Sequence, residues 1–325
     1  MSQQSPLLSI VTPAYNAALF LPPLIEAVTL AATHCALEWI VIDDGSTDDT
    51  AALVETLTPS DIGVILIRQA NVGLAETRNR GFAKARGDYV WFVDADDLIV
   101  SGALPQLIAA MKLQADMISF QAMRFGKGLT DAPVYLRPKR SKTVAGEDWL
   151  TILIKEKDWR HFAWLYLYRR QFLVDSQLQF RRGILHEDIA FTTEAVLRAS
   201  TIIYVDTCVY RYRQNPNSIT GSGDVSRAVE RINSYFVIVD QLRDINRRIP
   251  MRAKTKTLLE SEIIGQAMQV FDVAKMLNDP TQYKRVMMNC RERRFAHSLF
   301  QHVANFKRLR QVIRMWLTQM GFPAH

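Results

Sequence analysis

Cysteine is scarce in this sequence, and no two cysteines are spaced like the ligands of a metal site. The chain of 325 residues has only Cys35, Cys208 and Cys290. An odd number of widely separated cysteines argues against a small disulfide-stapled protein and against a zinc-finger type of site. We therefore expect reduced, structural thiols in a cytosolic protein.

Long apolar runs are also missing. No stretch of 18 consecutive apolar residues occurs, so we expect no membrane-spanning helix. Residues 1–6 lack the basic and apolar regions of a signal peptide. With 48% hydrophobic and 22% charged residues, the composition is that of a globular protein, and the length favours two domains or one elaborated domain.

The glycine-rich phosphate-binding motifs are absent as well. The first predicted strand, residues 7–12, is stopped by Pro13 and followed by Ala14-Tyr15-Asn16, without Gly-x-Gly-x-x-Gly. No Gly-Lys-Ser/Thr motif occurs either. These absences argue against a dinucleotide-binding dehydrogenase and a P-loop nucleotidase. A bound phosphate would therefore need a cation rather than a cradle of glycines.

The first hundred residues show strand and helix patterns in alternation. The predicted strands are residues 7–12, 37–42, 62–67 and 89–93, and the predicted helices are residues 19–32, 46–57 and 74–85. We expect Ser46 or Thr47 to cap the second helix, with acidic residues in its first turn. The alternation predicts an α/β fold with a largely parallel sheet and right-handed crossovers.

Three polar loops follow predicted strands and should meet at one edge of this sheet. They are residues 13–16, 43–46 and 94–97, of which the last contains Asp94, Asp96 and Asp97. Ligands of open α/β sheets bind where the strands end, and clustered carboxylates suit Mg²⁺ or Mn²⁺ with a phosphate. The alternative is a solvated acidic turn that caps the next helix, which we favour for Asp97 alone.

Four segments, residues 11–16, 42–48, 71–81 and 94–97, together resemble the inverting family 2 glycosyltransferases, which have the GT-A fold. The resemblance implies a mainly parallel twisted sheet flanked by helices, followed by an all-helical C-terminal region. It predicts a GT-A catalytic domain over residues 1–222, whose halves 1–100 and 101–222 bind nucleotide sugar and acceptor. A helical basic region would occupy residues 223–325.

The resemblance also implies a role for each matching residue. Those expected to contact the nucleotide sugar are Pro13, Ala14, Tyr15, Asp44, Asn71, Gly73, Arg78, Asp94, Ala95 and Arg213. Asp44 would accept a hydrogen bond from a uracil-like base, and Asp43 would order the turn. Asp96 would ligate the divalent metal, with Asp94 holding the ribose or the water shell of the metal. Each of three residues, taken singly, also has a purely structural interpretation. In that interpretation Tyr15 packs at the sheet edge, Asn16 caps the first helix, and Arg78 forms a surface ion pair.

The second half of the chain supplies the implied catalytic and acceptor residues. Asp188 would be the general base and Glu187 its orienting neighbour, although acidic residues that begin a helix are ordinary caps. His186 would contact acceptor or phosphate, unless it is merely structural. Trp164, in a helix, would line the acceptor side, whereas most aromatics around it belong to the core. Arg213 would pair with the leaving diphosphate.

These roles predict an inverting, hexosyltransferase-type enzyme. Its donor would be a nucleoside-diphosphate sugar, with a UDP-sugar favoured, and its acceptor a saccharide or lipid-linked saccharide in cell-surface polysaccharide synthesis. The Gln-x-x-Arg-Trp motif of processive synthases is absent, so a distributive enzyme is expected. A non-catalytic nucleotide-sugar-binding protein is the alternative.

The C-terminal region is basic and reads as helical throughout. Residues 1–100 carry 5 Lys and Arg against 13 Asp and Glu, whereas residues 225–325 carry 18 against 8. Helices are predicted over residues 225–246, 252–277, 280–294 and 297–320. The last has an apolar face of Phe295, Leu299, Val303, Phe306, Ile313, Trp316, Leu317 and Met320, near Lys307, Arg308, Arg310 and Arg314.

Such a helix could bind the inner face of an anionic membrane, or simply pack on the catalytic domain. The tail shows neither zinc-finger spacing nor an RNA-recognition signature, so no nucleic-acid partner is expected.

Overall fold

The computed structural model describes residues 5–59, 62–126, 130–136, 142–214, 227–277, 279–303 and 306–320. These residues form two compact units. The first contains the described residues up to Gly183 and from Phe191 to Gln214. The second contains Ile184–Ala190 and the described residues from Arg227 onward. The predicted domain boundary at residue 222 lies outside the described residues.

The first unit opens with the predicted alternation of strands and helices. Its elements are β1 (Leu8–Ala14), α1 (Leu21–Ala32), β2 (Leu37–Asp43), α2 (Thr50–Leu57), β3 (Gly63–Arg68), α3 (Leu74–Lys84) and β4 (Tyr89–Phe92). The strands lie in the order β3-β2-β1-β4, and every neighbouring pair is parallel. All residues of β1 and β4 are buried, as expected for parallel strands covered on both faces. The prediction of an α/β sheet is thus confirmed.

Pro13 does not stop the first strand, contrary to the prediction. β1 runs on to Ala14, and Pro13 pairs in register with Ile42 of β2. On the opposite side, the pairing of β1 with β4 has ended at Val11, whose carbonyl accepts a hydrogen bond from the Val93 amide. Backbone groups alternate in direction along a strand, so Pro13 faces this unpaired side. Its missing amide hydrogen is therefore no loss to the sheet.

The predicted start of the second helix is also wrong. α2 begins at Thr50 and has no acidic residue in its first turn. Neither Ser46 nor Thr47 caps it, because both bond to Asn16 instead. The polar side chains before α2 thus join two loops rather than end a helix.

The rest of the first unit widens the sheet with short antiparallel pairings that the sequence did not predict. Its elements are β5 (Leu98–Ile99), α4 (Leu104–Met111), β6 (Met117–Phe125), β7 (Ala132–Pro133), β8 (Lys142–Val144), α5 (Gly146–Glu156), β9 (Tyr166–Arg169), α6 (Arg170–Asp175), α7 (Asp188–Arg198) from Phe191 onward, and β10 (Ile202–Arg213). The strand order continues as β4-β9-β6-β10-β5. β9 is antiparallel to both β4 and β6, whereas the long pair β6–β10 is parallel. β5, which follows the acidic loop after β4, is antiparallel to β10 and brings this loop to the end of β10.

A buried carboxylate connects two strands of the sheet and the turn before β4, at the end of the sheet where these strands begin. Glu38 of β2 is 2% exposed. It accepts hydrogen bonds from the Ser9 hydroxyl at 2.6 Å and from the Arg86 amide at 2.6 Å. The Arg86 guanidinium forms an ion pair with the second oxygen of Glu38 at 2.9 Å. These contacts fix the turn before β4 and hence the register from which the acidic loop leaves the sheet.

The second unit is helical. It contains α8 (Ala228–Arg248), α9 (Ala253–Ala274), α10 (Pro280–Glu292) and α11 (Phe306–Gln319), so the first three predicted helices are confirmed. The continuous helix predicted over residues 297–320 is wrong, because a 3₁₀ turn (His297–His302) precedes α11. Within the described part of the chain, no helix is long and apolar enough to span a bilayer.

Candidate functional site

The loops after β1 and β2 are joined by hydrogen bonds. The Asn16 amide donates to the Ser46 hydroxyl at 3.0 Å, and the Asn16 side chain accepts from the Thr47 amide at 2.8 Å. The Ala18 amide donates to Asp48 at 3.1 Å. Asn16 has φ of 50°, a left-handed conformation that asparagine tolerates. Asn16 therefore connects two loops instead of capping α1, whose N-cap is Phe20.

Asp44 connects the second loop to the segment before α3. One carboxylate oxygen accepts from the Val72 amide at 2.9 Å and from the Gln69 side chain at 2.7 Å. The other accepts from the Gly73 amide at 2.9 Å. Asp44 is 5% exposed, and three of its four lone-pair positions are thus engaged within the protein. Gln69 had no predicted role in this network.

The turn at the end of β2 requires glycine. Gly45 has φ of 81°, and a Cβ atom there would lie 2.9 Å from the Asn71 amide nitrogen. The Asp43 carboxylate accepts from the Ser46 amide at 3.0 Å, which confirms that Asp43 orders this turn. Gly73, with φ of 87°, precedes α3. At Gly45 the lack of a Cβ atom lets the backbones of two loops come close together, whereas Gly73 has open space around it.

Residues of the first loop differ in exposure. Pro13 and Ala14 are buried at the end of β1, whereas Tyr15 is 51% exposed. About half of the Tyr15 side chain is therefore open to solvent. Asn71, also predicted to flank the nucleotide, is exposed as well. Tyr15 and Asn71 are available to a ligand, and Ala14 supports the loop from below.

Arg78 of α3 is paired with the acidic loop. Its guanidinium lies 2.6 Å from a carboxylate oxygen of Asp94. The Arg78 side chain is 4% exposed and that of Asp94 is 26% exposed, and the Phe180 ring lies 5.4 Å from the guanidinium carbon. A surface ion pair, the alternative left open for Arg78, is therefore wrong. A buried cation holds Asp94 at the edge of the sheet.

Asp97 is an internal anchor, which the sequence did not predict. It is fully buried, and one carboxylate oxygen accepts from the Tyr210 hydroxyl at 2.7 Å. The other oxygen accepts from the Arg213 amide at 2.6 Å. The Tyr210 hydroxyl also accepts from the Asp94 amide at 3.2 Å. A solvated turn capping the next helix is thus wrong for Asp97, which fastens β10 to the acidic loop.

Arg213 lies at the same loop. Its Nε atom donates to the Asp96 carbonyl at 2.7 Å. The guanidinium carbon lies 5.2 Å from the centre of the Phe20 ring and 4.6 Å from that of the Phe125 ring. Two aromatic faces and one hydrogen bond therefore orient this cation beside Asp96. Residues 215–226, which follow this part of the chain, lie outside the described residues.

The loop concentrates negative charge in a partly dry environment. Burial, together with the charge of Asp94, raises the pKa of Asp96 to about 6, although a backbone hydrogen bond and Arg213 oppose the rise. Burial and the charges of Asp96 and Asp94 also raise the pKa of Asp97 well above its ordinary value. A divalent cation would relieve this repulsion, and carboxylate oxygens are donors that Mg²⁺ and Mn²⁺ accept.

The side chains of Asp94 and Asp96 would fill only part of the coordination shell of a divalent cation. Among the described residues, no group of three or more His, Cys, Asp or Glu side chains could hold a metal ion. Mg²⁺ in proteins commonly keeps waters and substrate phosphate oxygens beside one or two carboxylates. The donor set at Asp94 and Asp96 fits a metal–phosphate complex rather than a metal held by protein alone.

Trp164 does not line an acceptor site in this structure. It is 2% exposed and lies in a 3₁₀ turn, Ala163–Leu165. Its ring stacks on Tyr210 with centroids 4.5 Å apart and on Phe162 at 4.9 Å. A side chain with no exposed face cannot stack on a sugar, so the prediction of acceptor contact is wrong. Trp164 instead supports Tyr210, which holds Asp97 and Asp94.

The predicted catalytic residues belong to the second compact unit. Asp188 is the first residue of α7, and Glu187 is 5% exposed. His186 has φ of 59° and stacks on Tyr235 with ring centroids 5.3 Å apart. Burial, aided by the charge of Arg231, lowers the pKa of His186. A neutral, stacked imidazole at this turn fits the structural alternative.

The sequence model of Glycosyl transferase family 2 matches residues 9–177, slightly more than half of the chain. The chain belongs to glycosyl transferase family 2. The match begins in β1 and includes all the loops that Asp44, Asp94 and Asp96 occupy. The predicted family resemblance is therefore confirmed.

Curated relatives carry glycosyltransferase names. The Escherichia coli (strain K12) protein named Uncharacterized glycosyltransferase YibD is 29% identical over 272 residues, covering 81% of this chain and 78% of that protein. Uncharacterized glycosyltransferase EpsJ of Bacillus subtilis (strain 168) is 32% identical over 220 residues, covering 66% and 63%.

Solved structures with the same fold include S. aureus TarS 1-349 in complex with UDP-GlcNAc. It aligns with a TM-score of 0.66 at 18% identity, covering 98% of this chain and 93% of that one. The mannosyltransferase PcManGT from Pyrobaculum calidifontis, in complex with GDP-Man and Mn²⁺, aligns with a TM-score of 0.55 at 15% identity, covering 98% and 88%. The fold of this chain is therefore of the GT-A type.

Proposed function

We propose that this family 2 glycosyltransferase is an inverting, metal-dependent enzyme that uses a nucleoside-diphosphate sugar. The observation that carries the proposal is the loop of Asp94–Asp97, where two carboxylates at the end of β4 lie beside the oriented cation of Arg213. A bound Mg²⁺ or Mn²⁺ would stabilise negative charge on the leaving diphosphate. In support, PcManGT, which has the same fold, holds Mn²⁺ with its nucleotide sugar.

The donor we favour is a UDP-sugar. Tyr15 and Asn71 are exposed at the edge of the sheet, and the Asp44 carboxylate between their loops retains one lone-pair position for a base. TarS, whose complex contains UDP-GlcNAc, has the same fold. The buried residues Pro13, Ala14 and Ala95 would shape the nucleotide site through their backbones, as would the half-buried Gly73.

In the proposed reaction, Asp188 removes the proton of an acceptor hydroxyl as that oxygen attacks C1 of the donor sugar. The new C1–oxygen bond forms on the face opposite the leaving group, so the anomeric configuration inverts. The bond from C1 to the diphosphate breaks, and its electron pair leaves with the diphosphate. Arg213 compensates this charge through the guanidinium nitrogens that its bond to Asp96 leaves available. Glu187 orients the acceptor.

The proposed acceptor is a saccharide or a lipid-linked saccharide in cell-surface polysaccharide synthesis. A cytoplasmic enzyme, peripheral on the inner face of the membrane, would meet such acceptors. The proposed catalytic domain comprises residues 1–222, and the helical basic region residues 223–325.

Two variants test the assignment of roles. Asp188→Asn should lower sugar transfer by about 10²–10⁴-fold while leaving the affinity for nucleotide sugar unchanged. Asp96→Ala should instead abolish the part of nucleotide affinity that depends on Mn²⁺. Asp49→Asn is the matched control, because Asp49 is exposed and its side chain caps no helix.

The measurements are calorimetric binding of UDP and GDP sugars with and without Mn²⁺, and release of nucleoside diphosphate during turnover. Normal turnover by Asp188→Asn would refute the base assignment. Metal-dependent binding without hydrolysis or transfer, with any acceptor offered, would favour the alternative of a non-catalytic nucleotide-sugar-binding protein.

A further inference from the structure

α11 has more apolar surface than its packing uses. Val312 and Met315 are buried where α11 packs against α9 and α10. Ile313, Trp316 and Met320 are 38%, 37% and 39% exposed. Their spacing of three and four residues puts them on one face of the helix. These side chains form an exposed apolar face that borders the packed one, since Trp316 follows the buried Val312 by four residues.

The structure changes the predicted apolar face of this segment. Phe295 and Leu299, which were assigned to it, are buried before α11 begins. The side chains of Phe306, Lys307 and Arg308 lie outside the described part of the chain. The exposed face is thus shorter and is centred on Trp316.

Cations adjoin this exposed face without acidic partners. Arg310 and Arg314 are both exposed, and neither forms an ion pair with another described residue. They lie about 100° around the helix from the apolar residues, given 3.6 residues per turn. The sequence contains no Asp or Glu after Glu292. The sequence after Glu292 therefore combines apolar side chains with positive charge that no acidic residue of the same segment balances.

We propose that α11 docks the protein on an anionic lipid surface through Ile313, Trp316 and Met320. Indole rings favour the boundary between headgroups and acyl chains, while Arg310 and Arg314 would interact with anionic headgroups. A second copy of this chain fits poorly, because residues 225–325 carry 18 Lys and Arg against 8 Asp and Glu and would repel themselves. The proposal does not depend on the sugar-transfer reaction, since it concerns neither donor nor acceptor.

The test is flotation of the full chain with vesicles. One set contains only phosphatidylcholine, and the other adds phosphatidylglycerol, each at low and at high salt. We expect binding to the anionic vesicles and little to the neutral ones, with weaker binding at high salt because surface charges are screened. Equal binding to both sets, or to neither, would overturn the proposal.

Two pairs of variants separate the apolar and the charged contributions. Ile313→Ala with Trp316→Ala should weaken anionic-vesicle binding by about tenfold or more, since both side chains would otherwise leave water. The matched control is Leu30→Ala with Leu57→Ala, because both leucines are 48% exposed in the first unit.

The second pair tests the charged contribution. Each cation near an anionic surface strengthens binding by about fivefold, so Arg310→Gln with Arg314→Gln should weaken binding by about 25-fold. Lys84→Gln with Lys112→Gln removes the same net charge from exposed positions of the first unit and should leave binding nearly unchanged. Circular dichroism would verify that each variant is folded.

Two further outcomes would overturn the proposal. If the arginine variants lose binding but the Ile313 and Trp316 variants bind normally, the interaction is only electrostatic adsorption. If mass photometry without lipid shows a dimer that Trp316→Ala disperses, the exposed face is an interface between copies.

Discussion

Replacing Tyr210 with phenylalanine should destabilise the first unit while leaving its aromatic core intact. The hydroxyl is the only group removed, and the ring that stacks on Trp164 remains. This hydroxyl donates to Asp97 at 2.7 Å and accepts from the Asp94 amide at 3.2 Å. Both Tyr210 and Asp97 are fully buried, so water cannot replace the lost partner of Asp97 without rearrangement.

The expected loss follows from these two contacts. Removing the hydroxyl leaves the buried Asp97 carboxyl and the Asp94 amide each without one partner, and an unpaired buried polar group costs about 1–3 kcal/mol. The bond to the Asp94 amide is long, so we place its share at the low end. The total is about 3 kcal/mol, a large part of the roughly 5–15 kcal/mol by which a native domain is stable.

Urea unfolding followed by tryptophan fluorescence measures this loss, because five of the six tryptophans belong to the first unit. Tyr204→Phe is the matched control. Tyr204 is also fully buried in β10, but its hydroxyl donates to the exposed residue Asp206 at 3.3 Å. Solvent can compensate that carboxylate, so we expect a loss of about 1 kcal/mol or less.

A functional measurement accompanies the stability measurement. Without the hydroxyl, the Asp94 amide loses its partner and the acidic loop loses a fixed point, so Mn²⁺-dependent nucleotide affinity should fall in Tyr210→Phe and not in Tyr204→Phe. Equal stability losses in the two variants, or a loss below about 0.5 kcal/mol for Tyr210→Phe, would refute the role assigned to this contact.

Other predictions concern a buried carboxylate, a glycine and the metal. In Glu38, hydrogen bonds from neighbouring groups outweigh burial and lower the pKa; its contribution to stability is therefore present above the ordinary pKa and lost as the pH falls through the lowered value. Glu38→Gln should lower the free energy of unfolding by about 1–3 kcal/mol at pH 7 and make stability less dependent on pH in the acid range. Glu55 is the control, because it forms an exposed ion pair, and Glu55→Gln should change stability by less than about 1 kcal/mol. Gly45→Ala should cost about 1–2 kcal/mol in thermal unfolding because of its positive φ, unlike Gly102→Ala, which has open space for a Cβ atom. Chelation by EDTA should abolish nucleotide-sugar binding, and Mn²⁺ should restore it in the wild type but not in Asp96→Ala.

Local patterns of apolar and polar residues in the sequence were sufficient to predict the parallel part of the sheet. Burial on both faces makes β1, β2 and β4 mostly apolar, and polar residues follow where the chain leaves the sheet. The errors were at the ends of elements. Pro13 continues β1 because pairing on one side has already ended, and Ser46 and Thr47 bond to Asn16 rather than to the helix that follows. Such competition between local and distant partners is not encoded in either segment alone.

In the candidate site, too, the sequence predicted what depends on nearby residues and missed what depends on distant ones. The types and spacing of Asp94 and Asp96 indicated a cation site without any knowledge of their neighbours. The sequence could not assign Asp97, because its partner Tyr210 lies 113 residues away. Nor did it distinguish a buried Trp164 from an exposed one, since the same aromatic residue type serves both in cores and in sugar sites.

By itself, the sequence determined the alternation of strands and helices, the family and the acidic loop on which the site depends. These features rest on periodicity and on residue chemistry within short segments. The tertiary structure alone decided that Asp97 is an anchor, that Arg78 is a buried partner of Asp94, and that Arg213 lies beside Asp96. Those roles depend on burial and on distances between segments far apart in the chain, which fix how strongly each charge is held and whether it reaches solvent.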